Sequence, residues 1–151
     1  MNEFEIITLS IALLSLSVSI ITLIIGKKRA SAMIELAISE RITSTKEKVS
    51  DVTNIMTPIV SKTKRNQDDE NMIVLYGKQL DLAIENNINA YEEACAKYLD
   101  NKVDKIRFKK LYKNELRKLV EHNELKKYFD GVSSDFKAII KVYTKWEDLE
   151  Q

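Results

Sequence analysis

From Ile6 to Ile25 the chain runs for 20 residues without a charge, IITLSIALLSLSVSIITLII. A helix rises about 1.5 Å per residue, so such a run covers roughly the 30 Å hydrocarbon core of a bilayer. A buried core helix is the bland alternative, but a domain this small has little to wrap around it on all sides. A cleaved signal peptide is the other alternative. It needs a basic start, a shorter apolar run and a small-residue cleavage site. Here the start is acidic (Met1-Asn2-Glu3-Phe4-Glu5), the run is long, and Gly26-Lys27-Lys28-Arg29 follows it. The sequence therefore predicts an uncleaved single span.

Overall composition conceals this segment. The chain is 31% charged, as a soluble protein would be. Residues 1–26 hold only Glu3 and Glu5, while all 24 basic residues and the other 21 acidic ones lie in 27–151. Lys27, Lys28 and Arg29 follow the span and no basic residue precedes it, so the positive-inside rule predicts an external N-terminus and a cytosolic C-terminal part at an inner membrane. In that reducing compartment the lone Cys95 needs no disulfide partner.

Small residues in the span fall on one stripe. Thr8, Ala12, Ser15, Ser19, Thr22 and Gly26 are spaced 4, 3, 4, 3, 4. Such a stripe lets two transmembrane helices approach closely, with hydroxyls bonding across the seam. Equally, the hydroxyls can satisfy carbonyls of their own helix, as Ser and Thr ordinarily do in membranes.

Residues 26–57 read as a helical stalk. Ile38, Ile42, Thr45, Val49, Val52, Met56, Ile59 and Thr63 repeat at alternating steps of 4 and 3, an a/d heptad pattern. This seam can pair with a second copy of the chain or with the chain's own later helices. Pro58 removes a backbone donor and crowds the preceding turn, so the helix should end or kink near Thr57. The polar run that follows makes 58–68 a linker, whose Lys62, Lys64 and Arg65 are most simply solvated.

A helical bundle is expected over 69–151. Asp68 and Asp69 suit a helix start, and Ile73, Tyr76, Leu80, Ile84, Ile88, Tyr91, Cys95 and Tyr98 share one face to about Leu99. Gly77 and Asn86-Asn87-Ile88-Asn89 weaken this helix enough to kink or break it. Asp104 can cap a third helix over about 105–122, with Phe108, Leu111, Tyr112, Leu116, Leu119 and Val120 inward and Glu115 at the edge. A short helix near 124–129 should end at Asp130-Gly131. Ser133 or Ser134 should cap a last helix to about Leu149, with Phe136, Ile139, Ile140, Tyr143 and Trp146 inward. The predicted class is all-α: one transmembrane helix continuing into a stalk, then a small antiparallel bundle.

The chain is poor in catalytic signatures. Its three glycines are far apart, so no phosphate loop or dinucleotide fingerprint exists. His122 is read as a helix C-terminal residue, and Cys95, between Ala94 and Ala96, as a buried structural thiol. Glu92-Glu93 and Asp100 with Asp104 are ordinary charged-surface pairs. No enzyme activity, metal or cofactor is predicted. Lys105–Lys118 interleaves lysines with Phe108, Leu111 and Tyr112, but the net charge of 27–151 is only +3, so nucleic acid is not the expected partner.

Asn89-Ala90-Tyr91-Glu92-Glu93-Ala94, then Asp104, Phe108 and Tyr112, resembles a pattern in short bacterial proteins of unknown function with an N-terminal membrane helix and a helical cytosolic part. The resemblance spans 89–149. It implies a bacterial source and an anchored helical domain, and it transfers no catalytic residue. The Lys excess over Arg, 19 to 5, is associated with AT-rich coding, as in low-GC bacteria and mobile elements. The expected function is non-enzymatic. The chain should self-associate or recruit a helical partner at the inner membrane, with lipid and other copies of itself as partners. The alternative is a membrane component of a phage-defence or superinfection-exclusion system that oligomerises and perturbs the bilayer.

Overall fold

The computed structural model describes residues 3–129 and 135–148, and the fold is all-α. The described residues form α1 (Glu3–Val60), α2 (Gln67–Leu99), α3 (Lys105–Glu121), α4 (Lys126–Phe129) and α5 (Lys137–Glu147), with a 3-10 turn at Asn123–Leu125.

The apolar segment and the stalk are one helix. α1 has 58 residues, about 87 Å of continuous rod. Residues 11–25 are all exposed, so this part of the apolar segment packs on none of the described residues of the other helices. Lower down, α1 packs chiefly on α2. Ile38, Ile42 and Ile59 are buried there, and Thr45, Val49, Val52 and Met56 are half-buried. Of the two partners open to the stalk seam, the structure thus supplies the chain's own second helix.

Pro58 acts later than the sequence suggests. The helix continues three residues past Thr57, to Val60. A proline so near a C-terminus disturbs only the final turn. That turn is held by the Ser61 N–H on the Thr57 carbonyl at 3.0 Å and by burial of Ile59. The connection is correspondingly shorter than 58–68. Asn66, and not Asp68 or Asp69, is the N-cap of α2. Its side chain accepts from the Asp69 N–H at 2.8 Å, while the Asp69 carboxylate accepts from the Asn66 N–H at 3.1 Å. The two form a reciprocal capping box. Lys62 also pairs with Asp69, which ties the end of α1 to the start of α2.

Lateral contacts fix the register. Arg41 pairs with Glu93 at 2.9 Å and Thr45 accepts from the Asn87 amide at 2.9 Å, so α2 runs back along α1. α2 is unbroken through Gly77 and Asn86–Asn89. Ala83, Ile88, Ala90 and Tyr91 are buried along this stretch, and tertiary packing outweighs the weak local propensity. α2 ends in a Schellman turn. Asn101 takes a positive φ of 57°, its N–H bonds the Tyr98 carbonyl, and the Lys102 N–H bonds the Lys97 carbonyl. α3 then runs parallel to α1, with Arg107 on Glu35 (3.4 Å) and Lys46 on Glu115 (3.0 Å).

The core lies where the upper stalk, α2, α3 and α5 meet. Ile42, Ile88, Tyr91, Cys95, Phe108, Leu116, Ile139, Val142 and Trp146 are buried together. Each large apolar side chain buried here contributes about 1.5–3 kcal/mol. The Trp146 indole N–H donates to the Tyr98 hydroxyl at 3.1 Å, which satisfies both polar atoms inside an aromatic cluster with Phe108.

The start of α5 differs from the sequence expectation. Ser133 and Ser134 lie outside the described residues, as does the Asp130-Gly131 stop. The cap position is Phe136, whose ring makes no capping hydrogen bond. Instead Glu92 of α2 accepts from the N–H groups of Ala138 (2.8 Å) and Ile139 (2.9 Å). A carboxylate from another helix thus caps α5 and complements its positive end. Replacing Glu92 with Ala should cost about 1–2 kcal/mol, the usual loss for a cap. It should also speed amide exchange in 137–142 while leaving α2 protected. Hydrogen exchange on the full chain in detergent checks this; unchanged exchange in α5 would refute the capping role.

Candidate functional site

The features with functional content lie along α1 and in the groups that lock the bundle to it. Thr8, Ala12, Ser15, Ser19, Thr22 and Gly26 are exposed along the apolar segment. The hydroxyls of Thr8, Ser15, Ser19 and Thr22 donate to the carbonyls of Phe4, Ile11, Ser15 and Val18 at 2.8–2.9 Å. Each therefore satisfies its own backbone in a single copy, and the oxygen retains a lone pair for a neighbour. Gly26 has no atom within 4 Å of where a Cβ would sit, so within one chain nothing requires glycine there. Lys27, Lys28 and Arg29 are exposed on the same uninterrupted helix.

Glu35 and Glu115 hold the shaft to the bundle. The Glu35 carboxylate accepts from the Ser31 hydroxyl (3.2 Å) and the Asp104 N–H (2.9 Å), and it pairs with Arg107. Asp104 caps α3 as its position predicts, accepting from the N–H groups of Ile106 and Arg107. One carboxylate on α1 thus fixes the first turn of α3. Glu115 accepts from the Tyr91 hydroxyl at 2.6 Å and from Lys46 at 3.0 Å, joining α1, α2 and α3 at one point. Glu115 was visible in the sequence as an acid at the edge of an apolar face. Glu35 and Glu92 gave no local signal for joining helices, because the partners they hold on other helices are 69 and 46 or more residues away.

The candidate chemical groups are placed for structure. Burial, then the hydrogen bond to Glu115, pushes the Tyr91 hydroxyl far above its ordinary range. Burial likewise raises the Cys95 thiol, which keeps it protonated and unreactive. The Glu92-Glu93 pair diverges: Glu92 caps α5 and Glu93 pairs with Arg41. Asp100 ends α2 and Asp104 starts α3. His122 ends α3, exposed. Among the described residues no three His, Cys, Asp or Glu side chains gather as a metal-holding group.

No family model, no curated protein and no solved structure matches this chain. The resemblance carried by Asn89–Ala94, Asp104, Phe108 and Tyr112 therefore rests on those residues alone. The structure gives them structural work. Tyr91, Ala94 and Phe108 are core, Glu92 and Asp104 are caps, and Tyr112 stacks near Tyr91 and Phe108.

The Asp69 corner carries a pH signature. The Lys62 side chain and the Asn66 N–H both favour the ionised carboxylate and hold its pKa below the ordinary value. A depressed folded-state pKa stabilises the corner fully above the unfolded value, about 3.9, and the effect is lost as pH falls through the folded value. Protection of the amides at the start of α2, measured against their intrinsic exchange rates at each pH, should fall below about pH 4, and Asp69→Asn should show low protection already at neutral pH with this acid dependence gone. An acid dependence that persists in Asp69→Asn would show that another group controls the corner.

Proposed function

We propose that the chain is a single-span anchor that holds a helical domain rigidly against the cytosolic face of an inner membrane and serves, without catalysis, as a platform for assembly. One observation carries this reading. α1 passes unbroken from an exposed segment long and apolar enough to cross a bilayer into the buried core at Ile38 and Ile42. An apolar helix left uncovered by its own domain needs another apolar environment, and a bilayer is the one its length fits. The basic cluster Lys27–Arg29 supports a cytosolic domain.

Self-association falls to the span in this reading. The stalk seam is occupied by α2, so a second copy would have to displace native packing to use it. The stripe from Thr8 to Gly26 is unoccupied by the chain's own residues and presents small side chains for close helix approach. Confinement to a membrane raises effective concentration, so a weak seam suffices for assembly, and a multivalent platform then retains helical partners. Tyr91 and Cys95, the groups with the most perturbed protonation, are sealed in the core, which favours a role in binding over chemistry.

The test uses single cysteines at Asn2 or Lys145 of the full chain in bacterial spheroplasts. A membrane-impermeant maleimide should label position 2 in intact cells and position 145 only after permeabilisation. Labelling of position 145 in intact cells would overturn the orientation. In the same membranes, Ser15→Leu with Ser19→Leu should lower dimer crosslinking several-fold. An unchanged yield would remove the stripe as the association seam.

A further inference from the structure

We propose that the corner between α2 and α3 is a second membrane contact, in which Lys102, Lys105, Ile106 and Lys109 dock on anionic phospholipid headgroups of the leaflet where α1 emerges. This rests on the anchor reading above and adds to it a defined face of the domain and a lipid class.

The height of the corner carries the inference. Glu35 lies nine residues beyond Gly26, but its side chain leans back toward the helix N-terminus and bonds the Ser31 hydroxyl at 3.2 Å. The same oxygen accepts the Asp104 N–H at 2.9 Å. The Asp104 backbone therefore sits level with Ser31, five residues or about 7.5 Å along the axis from Gly26. The headgroup layer outside the hydrocarbon core is about 5–7 Å thick on each side. A continuous helix between these two points leaves no slack, so the corner is carried to the underside of the headgroups. Because α3 runs parallel to α1, its N-terminal turn is the part nearest the bilayer, and side chains there lean further toward it.

The residues at that height suit a lipid surface. Ile106 is 85% exposed, more than Leu23 within the apolar segment at 73%. It follows Lys105 directly, and an apolar side chain beside cations is the composition of interfacial contacts. Among the described residues Lys102, Lys105, Lys109 and Lys110 make no ion pair, whereas Arg107 beside them is committed to Glu35. Lys105 instead lies over the Tyr98 ring at 5.4 Å, which places its charge on this face. The nearby acids do not cancel the patch. Glu35 is held by Arg107, and Asp104 is held by two backbone N–H groups. Among the described residues at the corner, Asp100 and Asp104 are exposed without a cation, against the four lysines. Lys105 and Lys109 stand one helical turn apart on one face, about 6 Å, within a Debye length of roughly 8 Å at physiological salt. Anionic headgroups attract lysines held in that zone.

The test places Trp at Ile106, or separately at Leu16, in the full chain. Each variant is reconstituted in nanodiscs of phosphatidylcholine alone or with phosphatidylglycerol. Native Trp146 is buried and gives the common background. Leu16→Trp should be quenched by an acyl-chain quencher in both lipids. Ile106→Trp should be quenched by a headgroup-attached quencher in both lipids, because the helix sets its height, and several-fold more strongly, with a blue shift, when phosphatidylglycerol is present. Adding Lys102→Gln, Lys105→Gln and Lys109→Gln should abolish that gain. Unquenched Ile106→Trp in both lipids, with Leu16→Trp quenched, overturns the contact and leaves the anchor standing; it is also what a face reserved for protein or nucleic acid would give. A gain that is absent, or that survives the three Gln substitutions, overturns the role of the lysines. An unquenched Leu16→Trp overturns the anchor and the contact together.

Discussion

The fold depends on α1 remaining a single helix across two different surroundings. Isolated helices gain little from propensity alone and depend on what their faces touch. The lower half of α1 is stabilised by α2, through Ile38, Ile42 and Ile59, and by the lateral bonds of Arg41, Thr45 and Lys46. In the upper half, residues 11–25 are exposed, and the hydroxyls of Ser15, Ser17, Ser19 and Thr22 are turned back on their own helix's carbonyls. A hinge near Gly26 would uncouple the halves, yet α1 has none. Everything that follows, from the height of the α2–α3 corner to the facing of α3, is inherited from that continuity.

A second constraint is where the acids sit. Glu35, Glu92 and Glu115 each join two or three helices. Each accepts from donors that would otherwise be orphaned or exposed: the N–H of Asp104, the first N–H groups of α5, and the Tyr91 hydroxyl. Such charge-assisted bonds are stronger than neutral ones and directional, so they set register as well as stability. The bundle is thus clamped to the shaft by carboxylates and filled by aromatics, with Trp146, Tyr98 and Phe108 at its centre.

Much of this was legible in the sequence, for local reasons. The apolar run, the 4-3 repeat of Ile38 through Ile59, the face of α2 and, apart from Leu111, which is exposed and not inward, the face of α3 all express helical periodicity, which survives without knowledge of partners. Asp104 was legible as a cap because capping is local. What escaped the sequence is long-range. The stalk seam pattern is the same whether its partner is α2 or another copy, since an a/d stripe records only that something covers it. Glu92 as the cap of α5 depends on a helix 46 residues away. The extension of α1 past Pro58 depends on burial of Ile59 against α2. Gly77 and the Asn86–Asn89 run lowered the expectation for one long α2, and packing of Ala83, Ile88 and Tyr91 overrode them.

The claim on which the account turns is that anchor and bundle share one rigid rod. Distance measurement by double electron–electron resonance tests it directly, with spin labels at Ser17 and Glu47 of the full chain in nanodiscs and Cys95→Ala as background. The two positions are 30 residues apart on α1, about 45 Å for a continuous helix. The account predicts a single narrow distribution near that distance. A broad distribution, or one centred well below it, would mean a hinge between membrane and bundle and would contradict the account.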